Sequence, residues 1–197
     1  MSSPSISVGT VNRLRRQGLT QSRTSPTMYS TRSTDWSCLS PIFVGLSLGG
    51  AVAQWIAVHA PSRVHTLTLL CTAAKFGEPQ GWLDRAAGVR AEGAASIADA
   101  VVGRWFTTGL AERDPGLVDR ARAMVSATDD EGYAGCCEAL ADWDGRADLA
   151  RISARTLVIV GAQDPATTPT DLLLIADGVA NSVLHVLDPG AHLTTIE

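Results

Sequence analysis

Ser47, Asp164 and His192 are residues whose types, order and surroundings could perform nucleophilic acyl transfer. A serine hydroxyl is a weak nucleophile; it needs a base to take its proton, and the base needs an acid to fix its tautomer. Ser47 lies in Gly45-Leu46-Ser47-Leu48-Gly49-Gly50, after the β-type run Ile42-Phe43-Val44 and before the helical-looking segment Ala51 to His59. A serine at a strand-to-helix turn needs neighbours without Cβ atoms, so that strand and helix can approach and leave the hydroxyl exposed. A bare G-x-S-x-G arises easily by chance, and the flanking strand and helix lift this one above an ordinary Gly/Ser loop.

The partners follow in the order Ser, Asp, His. Asp164 stands in Gly161-Ala162-Gln163-Asp164-Pro165, after an apolar strand ending at Val160. His192 stands in Gly190-Ala191-His192-Leu193, after a strand ending near Leu187. Active sites of parallel sheets gather at the carboxyl ends of strands, so these loops share one edge. Asp164 before a proline could simply open a turn, and Asp171 and Asp188 compete for its role. Asp171 reads instead as a first-turn helix acid, and Asp188 sits too close to His192 in the chain. His59 at a helix end and His65 at a strand start read as surface or structural residues. The N–H of Leu48, at a helix N-terminus, is one expected oxyanion donor; the second normally comes from a loop after an earlier strand, for which this sequence offers no candidate.

These loops require an alternating strand and helix frame. Ile42 to Val44 reads as a buried strand, followed by a helix from Ala51 to His59 that turns Trp55 and Ile56 to the sheet. Val64 to Cys71 reads as a parallel strand covered on both faces. No convincing strand lies between Lys75 and Asp144; amphipathic helices are expected over Trp82–Glu92, Ser96–Trp105, Leu117–Thr128 and Glu131–Trp143. Alternation resumes with a strand over Thr156–Val160, a helix around Asp171–Ala176 and a strand over Ser182–Leu187. The expectation is an α/β fold: a partial parallel sheet over 41–74 and 145–197, with a helical cap inserted over 75–144. A helical insertion of this kind is the lid of the α/β-hydrolase architecture.

Composition narrows the class. A 197-residue chain that is 45% hydrophobic suits a single core, and a net charge of −4 with a pI near 5.5 gives no reason to expect nucleic-acid binding. No apolar run approaches the roughly 20 residues that span a bilayer. Cys38, Cys71, Cys136 and Cys137 form neither a disulfide framework nor a zinc spacing. They read as free thiols of a reducing, cytoplasmic compartment.

Residues 1–40 do not continue the pattern. Residues 1–34 contain no acid but carry Arg13, Arg15, Arg16, Arg23 and Arg32 among serines and threonines. That composition resembles an acid-poor transit peptide. The competing reading is a frame slip between Trp36 and Ile42. Reverse-translated one frame over, the stretch permits D-x-R-G-H-G-x-S and then an amphipathic helix. We expect the frame slip, with an out-of-frame or disordered segment over 1–40.

From Ile42 onward the chain resembles the 3-oxoadipate enol-lactonases, a capped α/β-hydrolase family of aromatic-compound catabolism. The stretches that carry the resemblance are FVGLSLGGAVAQWIAVHAPSRV, LLCTAAKFG, RAAGVRAEG, RWFT, GYAGCCEALADWD, TLVIVGAQDPATTP and GAHLTTIE. Elbow and triad motifs are shared across the superfamily; the RAAGVRAEG and GYAGCCEALADWD segments are particular to this family. Arg155 departs from the family pattern, where a proline is usual.

The resemblance implies hydrolysis of 3-oxoadipate enol-lactone by a Ser47–His192–Asp164 triad, with no metal or organic cofactor and a small-molecule lactone or ester as the only partner. The substrate carries a carboxylate, so the cap should offer a cation and an apolar wall. Trp105, Arg104 and Trp143 are the first candidates, with Arg85, Arg90 and Trp82 behind them. Two other readings stand beside this one. A capped hydrolase of the same triad could act on another ester or in C–C or peracid chemistry, and a remnant could retain the motifs without catalysis.

Overall fold

The computed structural model describes residues 41–197, and the expectations for residues 1–40 lie outside them. Strands Ile42–Leu46 (β1), Thr66–Leu70 (β2), Arg155–Gly161 (β3) and Ser182–Leu187 (β4) pair in parallel in the order β1-β2-β3-β4. Helix Leu48–His59 (α1) follows β1 directly.

Side chains alternate across a strand, so the register sorts the two faces of the sheet. Leu67, Leu69, Val158 and Val160 lie on one face and pack with Ala53, Ala57 and Val58 of α1. The row Val44, Thr68, Leu157 and Val183 lies on the other. There Val44 is 61% exposed and Val183 57%, and Ile42 of the same face is 66% exposed. The expectation of a buried β1 is therefore corrected, whereas on β2 Thr66 and Thr68 of this face are half-buried and Leu70 is buried. Among the described residues β1 is an edge strand, and helices cover one face. Trp55 is corrected too: it is exposed and stacks on His59, ring centroids 4.4 Å apart. Two residues along a helix is about 200°, which turns Trp55 away from the face that Ala53 and Ala57 present to the sheet.

Between β2 and β3 run helices Pro79–Glu92 (α2), Ala98–Val102 (α3), Thr108–Arg113 (α4), Pro115–Ser126 (α5) and Asp130–Asp142 (α6). The single helix expected over Ser96–Trp105 is instead a 3₁₀ turn, Ala94–Ile97, followed by the short α3. The side chains of Thr107, Asp114 and Asp129 accept the N–H groups of Leu110, Leu117 and Gly132, which caps α4, α5 and α6. Trp82 and Ala86 of α2 meet Tyr133, Ala134 and Cys137 of α6. The two ends of this helical insertion meet in an isolated antiparallel bridge between Lys75 and Asp144. The N–H of Gly145 donates to Ala74 beside it, at 2.7 Å.

Helix Pro169–Gly178 (α7) completes the alternation between β3 and β4, with Leu172 and Ile175 on the covered face of the sheet. No helix among the described residues is long and apolar enough to cross a membrane.

Candidate active site

Ser47 sits at the turn from β1 to α1 with φ 52°, in the left-handed region that side chains rarely adopt. Such a conformation persists only where the surroundings hold it. Here the N–H of Ser47 donates to Leu70 at 3.0 Å, and the Thr72 hydroxyl donates to the Ser47 carbonyl at 2.7 Å. Gly45 is needed because a Cβ there would lie 2.3 Å from the carbonyl oxygen of Gly49. Gly50 is needed because its Cβ would meet Thr72 at 2.5 Å. Gly49 has open space around it, so of the motif's two glycines only Gly45 is sterically obliged.

The loops after β3 and β4 are bonded to each other: the N–H of Gln163 donates to Gly190, and the N–H of Gly190 to the Gln163 side chain, both at 2.8 Å. That join brings Asp164 Oδ2 within 2.9 Å of His192 Nδ1. Both side chains are buried. Burial pushes the Asp164 carboxyl up, but the hydrogen bond and charge of His192 and the bonds from Thr167 outweigh it, and the net shift is downward. The competitors are settled otherwise. Asp171 accepts from the N–H and hydroxyl of Thr168 at the start of α7. Asp188 accepts from the Gln163 side chain.

Ser47, Leu48 and His192 share the wall of one cavity of about 340 Å³ with residues of the helical insertion. Trp82, Arg85, Arg104, Trp105 and Tyr133 line it. Trp143 does not: its indole N–H donates to the Ala73 carbonyl at 3.2 Å, at the neck of the insertion. Arg90 points elsewhere and pairs with Glu131 and Glu138. The salt bridges of the described arginines use Arg90, Arg120, Arg122, Arg146 and Arg151, leaving Arg85 and Arg104 outside them. Burial, and then the like charge of Arg85, push the Arg104 guanidinium below its ordinary value. Burial raises the Tyr133 phenol, against the pull of Arg85 beside it. The cavity thus presents cationic groups among apolar walls.

Sequence reasoning missed Thr167, Tyr133 and Leu193. Leu193 lines the cavity, and its N–H donates to the Trp105 carbonyl at 2.9 Å. Cys71, Asp164 and His192 bring one donor atom each to within 4.8 Å of one another. This set suits a metal poorly, because both carboxylate oxygens of Asp164 already accept two hydrogen bonds each.

A serine at a strained strand-to-helix turn, sharing a wall with a histidine that a buried carboxylate orients, is an arrangement able to transfer acyl groups. The sequence profile of the alpha/beta hydrolase fold matches residues 40–197. The chain belongs to this family.

As an α/β-hydrolase it is similar to "3-oxoadipate enol-lactonase 2" of Acinetobacter baylyi, at 43% identity over 155 residues. That alignment takes in 79% of this chain and 58% of the relative, so the hydrolase chain spans 58% of that relative's length. The enol-lactonase from Burkholderia xenovorans LB400 superposes with a TM-score of 0.78 at 35% identity, over 83% of this chain and 63% of that one. A hydrolase from Pseudomonas aeruginosa PA01 gives a TM-score of 0.77 at 41% identity, over 83% and 62%. The resemblance read from the sequence is the one these comparisons return.

Proposed function

We propose that this α/β-hydrolase chain carries the catalytic apparatus of a lactonase acting on 3-oxoadipate enol-lactone. The observation that carries the reading is one cavity wall that holds Ser47, His192 and the guanidiniums of Arg85 and Arg104 together. A small ester bearing a carboxylate fits such a wall, and the enol-lactonases among the relatives supply the particular ester.

Ser47 Oγ attacks the lactone carbonyl while His192 takes its proton, and Asp164 holds the imidazolium that forms. The N–H of Leu48 donates to the developing oxyanion, at the start of α1 where amides have no intrahelical acceptor. Collapse breaks the ring C–O bond, and the enol oxygen leaves with the proton from His192. The ring-opened acyl group stays on Ser47 as an ester. The freed enol becomes the 3-oxo group by moving its hydroxyl proton to the adjacent carbon. Water, deprotonated by His192, attacks the ester, and Ser47 Oγ leaves with that proton as 3-oxoadipate is released. Residues 75–144 act as the cap that encloses the reaction, with Arg85 and Arg104 holding the substrate carboxylate and Trp82 and Trp105 its apolar wall.

The test is hydrolysis of the enol-lactone by the 197-residue chain, alongside Ser47→Ala and its reaction with a serine-directed phosphonate. We expect lactone turnover and a phosphonate adduct on Ser47, both lost in Ser47→Ala. An adduct on another residue, or turnover that survives the substitution, would overturn the assignment.

A further inference from the structure

The Asp164 carboxylate is saturated with donors. Oδ1 accepts the N–H groups of Ala166 at 2.8 Å and Thr167 at 3.1 Å. Oδ2 accepts the Thr167 hydroxyl at 2.8 Å and lies 2.9 Å from His192 Nδ1. The Thr167 oxygen is itself 3.4 Å from that nitrogen. Thr167 is 2% exposed and also lines the cavity that Ser47 shares. One hydroxyl therefore touches both the acid and the base.

We propose that Thr167 is a positioning residue for the hydrolytic reaction, its hydroxyl fixing the Asp164 carboxylate so that one oxygen alone faces His192 Nδ1. The inference rests on the triad reading above.

Two hydrogen bonds to one carboxylate oxygen divide its electron density. With the hydroxyl present, Oδ2 is a weaker acceptor for the His192 proton than it would be alone. Removing the hydroxyl leaves a buried carboxylate short of a partner, and such an oxygen pulls harder on the remaining donor. The imidazole and the carboxylate are then held less firmly in the one alignment that the hydroxyl fixes. The charged and titratable groups that face the pair are the Cys71 thiol at the end of β2 and the Arg104 guanidinium from the cap. Neither depends on residue 167, so the effect of the substitution is local. Asp-x-x-Thr also closes a short turn through the N–H of Thr167, which a substitution of the side chain leaves in place.

The experiment is the rate of phosphonate inactivation of the 197-residue chain against pH, for wild type, Thr167→Val, Thr167→Ala and Thr167→Ser. In Thr167→Val and Thr167→Ala we expect the limiting inactivation rate to fall about tenfold or more, the scale of a lost bond to a charged group. The concentration giving half that rate should stay unchanged. Thr167→Ser, which keeps the hydroxyl, should restore the rate. Thermal unfolding of each variant identifies any that fails to fold, and Thr167→Ala then stands in for Thr167→Val. A wild-type chain labelled at Ser47, with valine and alanine variants of the same rate, would overturn the role of Thr167 alone. A wild-type chain with no label at Ser47 would overturn the triad reading and this inference with it. A serine variant as slow as the valine one would show that packing, not the hydroxyl, is what matters.

Discussion

The N–H of Leu193 donates to the carbonyl of Trp105 across 2.9 Å, bonding the residue after His192 directly to the helical insertion. Two residues on, the N–H and hydroxyl of Thr107 donate to the two carboxylate oxygens of Glu197, at 2.7 and 2.8 Å. Leu193 also packs against the cluster built by Val101, Val102, Phe106 and Leu110. The histidine and the roof of the cavity are therefore held as one assembly.

Loosening that assembly should matter most to a substrate the cap encloses. For Glu197→Ala, kcat/KM for the enol-lactone should fall about tenfold, as expected for the loss of a charge-assisted bond. For p-nitrophenyl acetate, which is small and uncharged, the loss should be several times smaller. Equal losses on the two substrates would show that the join does not act through the cap.

Arg85→Gln and Arg104→Gln address recognition of the substrate carboxylate. Each should raise KM for the enol-lactone by about 10- to 100-fold, the scale of a hydrogen bond to a charged partner. Turnover of p-nitrophenyl acetate should change little. A KM for the lactone that stays at the wild-type value in both variants would place the carboxylate elsewhere.

The elbow gives a paired test of stability. Gly45→Ala puts a Cβ 2.3 Å from the Gly49 carbonyl oxygen, so the backbone must move. Overpacking of this kind costs about 1–3 kcal/mol. Gly49→Ala enters open space within α1 and should be neutral or stabilising by about 0.5–1 kcal/mol. Urea unfolding of both variants decides the matter, and a reversed order would refute the steric account.

Burial, opposed in part by Arg85, pushes the Cys137 thiol from 9.0 up to about 11. The folded state therefore resists forming the thiolate, whereas the unfolded chain ionises near the ordinary value. This contribution to stability is whole below pH 9.0 and is lost as the pH rises towards about 11. The urea midpoints of wild type and Cys137→Ala should converge over that range. A gap that stays constant with pH would contradict the prediction.

The layout of the candidate site was legible because strand-to-loop placement is a local signal. Ser47, Asp164 and His192 each follow an apolar run by a few residues, and the structure places them after β1, β3 and β4. The reading of Asp171 as a first-turn acid was legible too, since it accepts from Thr168 at the start of α7. Residues whose direction depends on what covers them were not. Trp55 and Trp143 are both large and apolar, yet one stacks on His59 at the surface and the other bonds Ala73 at the neck. Thr167 left a signal that went unread: a hydroxyl three residues after a buried acid is well placed to bond it.

The bridge between Lys75 and Asp144 brings the start and the finish of the helical insertion to one point. A segment that leaves and re-enters a sheet through a single doorway can grow, shrink or be exchanged while β2 and β3 remain paired as before. Two places constrain it: the doorway, where Trp143 and Gly145 reach across to Ala73 and Ala74, and the bonds of Trp105 and Thr107 to Leu193 and Glu197. What can enter the cavity is therefore set largely by a segment that joins the sheet at one place, apart from the strand ends that carry Ser47 and Asp164.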